Sequence, residues 1–146
     1  MATGARIDPF VSFNFLVEID GITRAAFQEV SGGIEITIEP IDHREGGDIT
    51  RVRKLPGMTQ YANIVLKRGM TDDVELYQWI LDAAEGRVVR KNGSIIILDR
   101  TGTEVARYNF FDAWPTKYTG PTFNAETSDV AIETLELAHE GIRRAI

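Results

Sequence analysis

The residues best suited to chemistry are Asp42-His43-Arg44-Glu45, where a histidine lies among charged neighbours of both signs. Such a histidine can serve as a general base or as a metal ligand. The same four residues also fit a charged loop that is solvated or contacts another subunit, because adjacent opposite charges temper each other. We favour the charged loop, and we expect no catalytic, cofactor-binding or metal-ligating residue in the chain.

The chain offers few other groups for catalysis. It has 146 residues and no cysteine, which excludes disulfides, thiolate zinc sites, iron–sulfur clusters and a cysteine nucleophile. It contains no phosphate-binding loop, dinucleotide-binding motif, nucleophile elbow or zinc-protease helix. The second histidine, His139, ends a predicted strand and is expected to be structural. We therefore expect a protein without enzymatic activity and without a cofactor.

Basic residues cluster at Arg51, Arg53 and Lys54, and such a cluster can contact phosphate. The whole chain nevertheless carries a formal net charge of -6, and no series of stacking aromatic residues lies beside the cluster. We expect these side chains to form ion pairs with protein, and we expect no sequence-specific binding of nucleic acid. An aromatic stretch around Tyr108, Phe110, Phe111 and Trp114 fits core filling better than a ligand platform. Because neighbouring residues of a strand point to opposite faces, both faces of this strand must be covered.

The elements that must position these residues are mostly strands. Alternation of apolar and polar residues predicts strands over 13–19, 22–30 and 34–39, with a turn at Asp20-Gly21 and a strand end at Pro40. Residues 42–58 form a polar, glycine-containing stretch that we interpret as a long functional loop. Residues 61–67 return to strand character.

One helix is predicted over about 72–85, with Asp72 as N-cap, Glu75 completing a capping box and Gly86 as the stop. The second half of the chain is again strand-like. It has predicted strands over 94–99, 104–114 and 129–139, hairpin turns at Asn92-Gly93 and Thr101-Gly102, a turn-rich connection over 115–122 and a β-bulge near Thr134. The pattern predicts a mainly β, antiparallel barrel or sandwich of about seven strands with one flanking helix, in a single domain over 1–146.

Several segments, in this order along the chain, resemble the inner tube proteins of contractile phage tails and contractile injection systems. The segments are Asp8-Pro9-Phe10, Phe13-Asn14-Phe15-Leu16-Val17-Glu18-Ile19-Asp20-Gly21, Ala26-Phe27-Gln28-Glu29-Val30-Ser31-Gly32-Gly33, Lys54-Leu55-Pro56-Gly57, Ile64-Val65-Leu66-Lys67-Arg68-Gly69 and Glu136-Leu137-Ala138-His139-Glu140-Gly141-Ile142. The resemblance covers nearly the whole chain. It implies a tube-protein fold related to the type VI secretion tube subunit.

The resemblance also implies a structural role without catalysis. Proteins of this family form hexameric rings that stack into a hollow tube, which a contractile sheath surrounds, a baseplate or hub nucleates and a terminator closes, with a lumen that can hold cargo. The stretch over 42–58 corresponds to the family's extended hairpin, which reaches neighbouring subunits and the adjacent ring. We therefore expect inter-subunit or inter-ring contacts from the charged residues of this stretch. They are Asp42, His43, Arg44, Glu45, Asp48, Arg51, Arg53 and Lys54.

Two alternatives to an inner tube subunit stay open. One is a tube-initiating adapter of the baseplate with the same fold. The other, of a different class, is a small β-barrel binding module or enzyme with a site built around His43 and the aromatic strand. Residues 1–8 contain no long apolar run, so we expect no secretory signal and no membrane span. We expect synthesis and assembly in the bacterial cytoplasm, and function in a virion tail or in an extracellular, anchored or cytoplasmic injection particle.

Overall fold

The computed structural model describes residues 8–11, 14–25, 27–44, 46–47 and 51–146. These residues form ten strands and one helix. In chain order the elements are β1 (Phe15–Ile19), β2 (Ile22–Ala25), β3 (Glu29–Ser31), β4 (Ile36–His43), β5 (Arg53–Tyr61), β6 (Ile64–Gly69), α1 (Glu75–Ala84), β7 (Lys91–Leu98), β8 (Glu104–Thr119), β9 (Ile132–Ala138) and β10 (Gly141–Arg144).

Eight of the strands form one antiparallel sheet in the order β2-β1-β7-β8-β9-β6-β3, with β10 paired to β8. Strands β4 and β5 pair only with each other, as a separate two-stranded sheet. The predicted fold class, mainly β and antiparallel with one flanking helix, is confirmed. The strand count exceeds the predicted seven because short or irregular strands such as β3 and β10 have weak alternation.

The core lies on the face where the alternating apolar residues of neighbouring strands meet. Leu66 of β6 is the register partner of Leu135 of β9, and Ile64 is the partner of Leu137. All four are almost completely buried, and Phe110 of β8 joins them. Cross-strand pairs on one face stabilise a sheet through side-chain packing, so this register follows from the sequence pattern.

Helix α1 covers one side of this core with Leu76 and Trp79. The indole nitrogen of Trp79 donates a hydrogen bond to the Val89 carbonyl at 2.8 Å, which satisfies its buried polar atom. The helix begins at Glu75, so the predicted capping by Asp72 is wrong. A carboxylate oxygen of Asp73 accepts the hydrogen bond from the Glu75 amide at 2.9 Å instead.

The predicted helix stop is confirmed. Gly86 adopts φ 94°, and its amide bonds to the Ala83 carbonyl while the Arg87 amide reaches the Asp82 carbonyl. A left-handed residue directly after the last turn is favourable for glycine because it has no Cβ.

Two prolines do not end strands as predicted. Pro40 lies within β4 opposite Pro56 of β5, and Pro115 lies within β8 opposite Leu137. The strand register shifts next to each of them, between Ile38 and Pro40 and between Pro115 and Lys117. Proline lacks the amide donor of a regular ladder, so its place in a strand is at such irregularities.

Three further predictions about strand boundaries are wrong. Asn92-Gly93 is not a turn but lies within β7, where Gly93 is the partner of Phe110. The predicted strand over 129–139 begins only at Ile132, so Val130 precedes it and lies exposed. Thr134 pairs with Lys67 in unbroken register, so the predicted bulge is absent at that position. The apolar pattern suggested a bulge because Ile132 lies on the other face of β9, while the buried position in phase with Leu135 is held by the polar residue Glu133.

The predicted strand over 22–30 corresponds to the two strands β2 and β3, separated by residues 26–28. The turns at Asp20-Gly21 and Thr101-Gly102 are confirmed, with Gly21 at φ 74° and Gly102 at φ 86°. Phe13, predicted to begin the first strand, lies outside the described residues.

Candidate functional site

The β4–β5 hairpin stands apart from the rest of the fold. All eight residues of β4 are exposed, as are seven of the nine residues of β5. The predicted long loop over 42–58 is therefore wrong at both ends, since Asp42 and His43 belong to β4 and residues 53–58 belong to β5. The extended hairpin that the resemblance implied is present, and residues 44–52 connect its two strands.

The structure brings four of the predicted contact residues together near the distal end of this hairpin. Asp42 lies opposite Lys54, and His43 lies opposite Arg53. Opposite charges in directly facing positions of antiparallel strands attract each other, so the Asp42–Lys54 pair favours this register. Two of the other predicted contact residues, Glu45 and Asp48, lie outside the described residues.

The two remaining predicted contact residues, Arg44 and Arg51, lie in the connection between the strands and are exposed. The distal end therefore presents four basic side chains and one acidic side chain among the described residues. Within the described parts of the chain, no group of three or more His, Asp or Glu side chains is placed to hold a metal ion. The arrangement around His43 is that of an exposed charged surface.

Apolar side chains are exposed on both faces of the hairpin. Ile36 and Ile38 lie on one face of β4, and Ile41 lies on the other, opposite Leu55 of β5. All four are about half exposed. Isolated two-stranded sheets are marginally stable in water, and exposed apolar patches with a polar rim mark interaction sites. The hairpin therefore has the composition of a segment whose two faces are buried against other protein chains.

His139 holds the base of this hairpin. Its Nε2 atom donates a hydrogen bond to the Ala62 carbonyl at 2.8 Å, since a carbonyl can only accept. Its ring lies 5.7 Å from the ring of Tyr61, the last residue of β5. Its Nδ1 atom is buried without a hydrogen-bond partner among the described residues. The structural role expected for His139 is confirmed by these contacts.

A buried polar cluster was missed by the sequence analysis. Arg68 of β6 donates from Nε to Glu133 of β9 at 2.5 Å, and the Tyr118 hydroxyl donates to the second Glu133 oxygen at 2.8 Å. Arg68 also donates from Nη2 to the Asp73 carbonyl at 3.2 Å, just before helix α1. The signal was in the sequence, because Arg68 and Glu133 occupy the strand positions in phase with the buried Leu66 and Leu135.

This cluster changes the titration of Tyr118. Burial of the phenol, together with its hydrogen bond to Glu133, raises the pKa of Tyr118 to about 12. The neutral phenol is therefore the form that the fold holds at any physiological pH. The cluster joins β6, β8, β9 and the start of α1 into one rigid unit, away from the exposed hairpin.

The family model for the T4-like virus tail tube protein gp19 matches residues 11–143 of this chain. The chain belongs to this family. The predicted relationship to the inner tube proteins of contractile systems is thus confirmed, and the family is a structural one. Comparison with curated proteins found no match.

Solved structures of contractile injection systems contain chains that are similar to this one in sequence and fold. A chain in the six-fold symmetrised baseplate of the anti-feeding prophage is 28% identical, with a TM-score of 0.85 and coverage of 95% of this chain and 97% of that one. A chain in the sheath–tube complex of the extracellular contractile injection system PVC, in the extended state, is 29% identical, with a TM-score of 0.83 and coverage of 93% and 90%.

A protein of lower sequence identity has a similar fold. Hcp1 from Flavobacterium johnsoniae is 16% identical, with a TM-score of 0.58 and coverage of 91% of this chain and 95% of that one. At this identity the likeness concerns the fold alone. In the described residues of the tail tube protein, no helix has the length and apolar character needed to cross a membrane.

Proposed function

We propose that this tail tube protein is the repeating subunit of the inner tube of a contractile injection system, with all 146 residues acting as one tube domain. Six copies form a ring, and rings stack into a hollow tube. The family match over residues 11–143 and the likeness to a chain of a PVC sheath–tube complex support this assembly. The observation that carries it is the β4–β5 hairpin, which exposes apolar side chains on two faces that the described residues of the same subunit leave uncovered.

The hairpin supplies the heterologous contacts that such a polymer needs. A ring closes through side-by-side contacts of unlike surfaces, and a stack grows through head-to-tail contacts. The apolar residues of the hairpin provide burial, while the charged distal end from Asp42 to Lys54 fixes the register. Charge complementarity at an interface acts on specificity more than on affinity. The distal charged residues are in this proposal inter-ring or inter-subunit contacts and not a catalytic site.

The mechanics of the tube require no catalysis by this subunit. A sheath stores and releases the work, and the tube transmits it as a rigid pipe. The buried Arg68–Glu133–Tyr118 cluster and the interlocked β6–β9 core suit that passive role, because they join several strands and the helix into one body. The partners of the tube are then a contractile sheath outside, a baseplate or hub and a terminator at its two ends, and cargo in the lumen.

In this proposal the subunit is assembled inside the bacterial cytoplasm and acts in an injection particle that attacks or enters an envelope. A phage tail would use the same subunit in the same way. The described hairpin favours a polymerising subunit over the alternative of a small binding module, because its exposed apolar residues suit burial against other copies of the chain.

Negative-stain imaging of the purified full-length protein tests the proposal. Rings about one subunit high, together with stacked tubes at higher concentration, are the expected result. Single rings that never stack at any concentration would favour a tube-initiating adapter of the baseplate. Monodisperse small particles, with a sedimentation mass of one or two chains, would contradict any tube role.

A further inference from the structure

We propose that the β4–β5 hairpin is a conformational switch of assembly. In the free subunit the hairpin is a separate, weakly stable folding unit that is largely open, and burial by other copies closes it. The proposal rests on the proposed tube function and names the folding step that regulates it.

The hairpin takes no part in the buried core. Among the described residues, the buried hydrophobic side chains belong to the eight-stranded sheet, to α1 and to Phe27. The large apolar side chains of the hairpin are instead 45–71% exposed; they are Ile36, Ile38, Ile41, Leu55 and Met58. Fixing the backbone of a residue costs conformational entropy, which burial of apolar surface normally offsets. The free subunit lacks that offset in the hairpin.

The backbone ladder of the hairpin is also weak. Among the described residues, β4 and β5 pair only with each other, so each strand has one edge without a neighbouring strand. Pro40 lies directly opposite Pro56, and neither residue has an amide donor. The register shifts between Ile38 and Pro40. Since an isolated two-stranded hairpin is marginally stable in water even with a regular ladder, we expect this one to open readily.

Contacts with the sheet hold the hairpin at its base. The Nε2 atom of His139 bonds to the Ala62 carbonyl at 2.8 Å, and the Asn63 side chain donates to Glu136 at 3.0 Å. Tyr61, the last residue of β5, packs against the core. Because these contacts lie at the end of β5 or beyond it, the hairpin can open from its distal end while β6 and β9 stay intact.

An open hairpin controls when subunits assemble. Part of the free energy of subunit contact is used to fold the segment, so the apparent affinity between free subunits falls. A single encounter in solution covers little of the hairpin and gives a short-lived contact. A ring or tube end that covers both apolar faces offsets the cost of ordering. Growth on existing ends is therefore favoured over new starts.

Hydrogen exchange of the full-length protein, read by mass spectrometry of its peptides, tests the folding of the hairpin. In the free subunit, below the concentration of ring formation, we expect amides of β4 and β5 to exchange about a hundredfold faster than those of β6 and β9. In assembled tubes we expect the hairpin amides to become protected. Equal protection of hairpin and core amides in the free subunit would overturn the switch and leave the tube function intact. Hairpin amides that stay unprotected in tubes would overturn it too.

A disulfide across the hairpin tests its effect on assembly. Thr37 and Gln60 are exposed register partners, and facing residues of antiparallel strands lie within the Cα distance that a disulfide spans. The natural chain has no cysteine, so Thr37→Cys/Gln60→Cys carries a single pair of thiols. Oxidation holds the hairpin closed before binding. We expect the oxidised form to assemble at a concentration about tenfold lower than the reduced form, because the ordering has already occurred.

The reduced form of the same variant is the matched control, since it has the same residues and no link. An oxidised form that assembles no more readily than the reduced form would contradict the control of assembly by the hairpin. If neither the natural protein nor the variant forms rings or tubes, the tube function itself fails, and the proposed assembly step fails with it.

Discussion

Arg68 and Glu133 form a buried ion pair across the neighbouring strands β6 and β9, where they are direct register partners. Each side chain is only 5% exposed, and their N and O atoms lie 2.5 Å apart. The Tyr118 hydroxyl donates a hydrogen bond to Glu133, and Arg68 donates one to the Asp73 carbonyl. The pair is therefore a satisfied polar cluster beside the hydrophobic core of the sheet, and its cost of desolvation is offset by several charge-assisted bonds.

Removing one member of this pair should be strongly destabilising. The variant Glu133→Leu leaves the buried Arg68 guanidinium with only the Asp73 carboxylate, 3.6 Å away and partly exposed, so we expect a loss of about 3 kcal/mol in the free energy of unfolding. The double variant Arg68→Met/Glu133→Leu removes both charges and should recover most of that loss. Denaturant titrations of the three proteins measure the difference. A double variant as unstable as Glu133→Leu would contradict this account of the cluster.

A matched control for this prediction lies one residue away. Lys67 forms an ion pair with Glu29 at 3.1 Å, but both side chains are largely exposed. The variant Lys67→Met should change the free energy of unfolding by about 1 kcal/mol or less, because water screens such pairs. The contrast separates the effect of burial from the effect of losing any charge in β6.

The hydroxyl of Tyr118 should make stability fall at alkaline pH. Its pKa is raised from 10.0 to about 12, first by burial and then by its hydrogen bond to Glu133. A group whose pKa is higher in the folded state contributes stability that is complete below pH 10 and is lost as the pH rises towards 12. Denaturant titrations between pH 8 and 11.5 should show this loss for the natural protein and a smaller slope for Tyr118→Phe. Equal slopes for the two proteins would exclude Tyr118 as the source.

Gly93 is required by close packing between β7 and β8. A Cβ atom there would lie 2.5 Å from the Glu18 carbonyl oxygen and would also overlap the ring of Phe110. We expect Gly93→Ala to lower the free energy of unfolding by about 1–3 kcal/mol, as overpacking of a core does. The control Gly46→Ala should have little effect, because nothing lies within 4 Å of its Cβ position. A fully stable Gly93→Ala variant would mean that Phe110 can move away freely.

Alternation in the sequence predicted the regular part of the fold. Ile64 and Leu66 on one strand, and Leu135 and Leu137 on another, have the period of two that half-buried strands require. The sequence predicted strand ends at Pro40 and Pro115. Both prolines lie inside strands, where a neighbouring shift of register tolerates the missing amide donor. Asn92-Gly93 has the composition of a turn, but Gly93 is selected by the close approach of Phe110. Local composition does not distinguish these two uses of glycine.

The candidate site was predictable in its composition but not in its shape. The charges from Asp42 to Lys54 predict an interaction segment, yet cross-strand pairing such as Asp42 with Lys54 depends on a register that the sequence does not specify. The exposed Phe123 in the connection between β8 and β9 was missed because a phenylalanine in a loop has no periodic signal. Its exposure becomes evident only when the ends of β8 and β9 are placed in space.

Charge reversal on the hairpin should disrupt stacking while the subunit stays folded. Arg51 and Arg53 are exposed near the distal end, so Arg51→Glu/Arg53→Glu turns a basic surface acidic with little effect on the core. We expect imaging to show rings or short stacks in place of long tubes, with an unchanged thermal midpoint. The control Arg87→Glu/Arg100→Glu makes the same change in net charge outside the hairpin and should retain long tubes. Tubes of normal length from the hairpin variant would show that its charges do not set the stacking register.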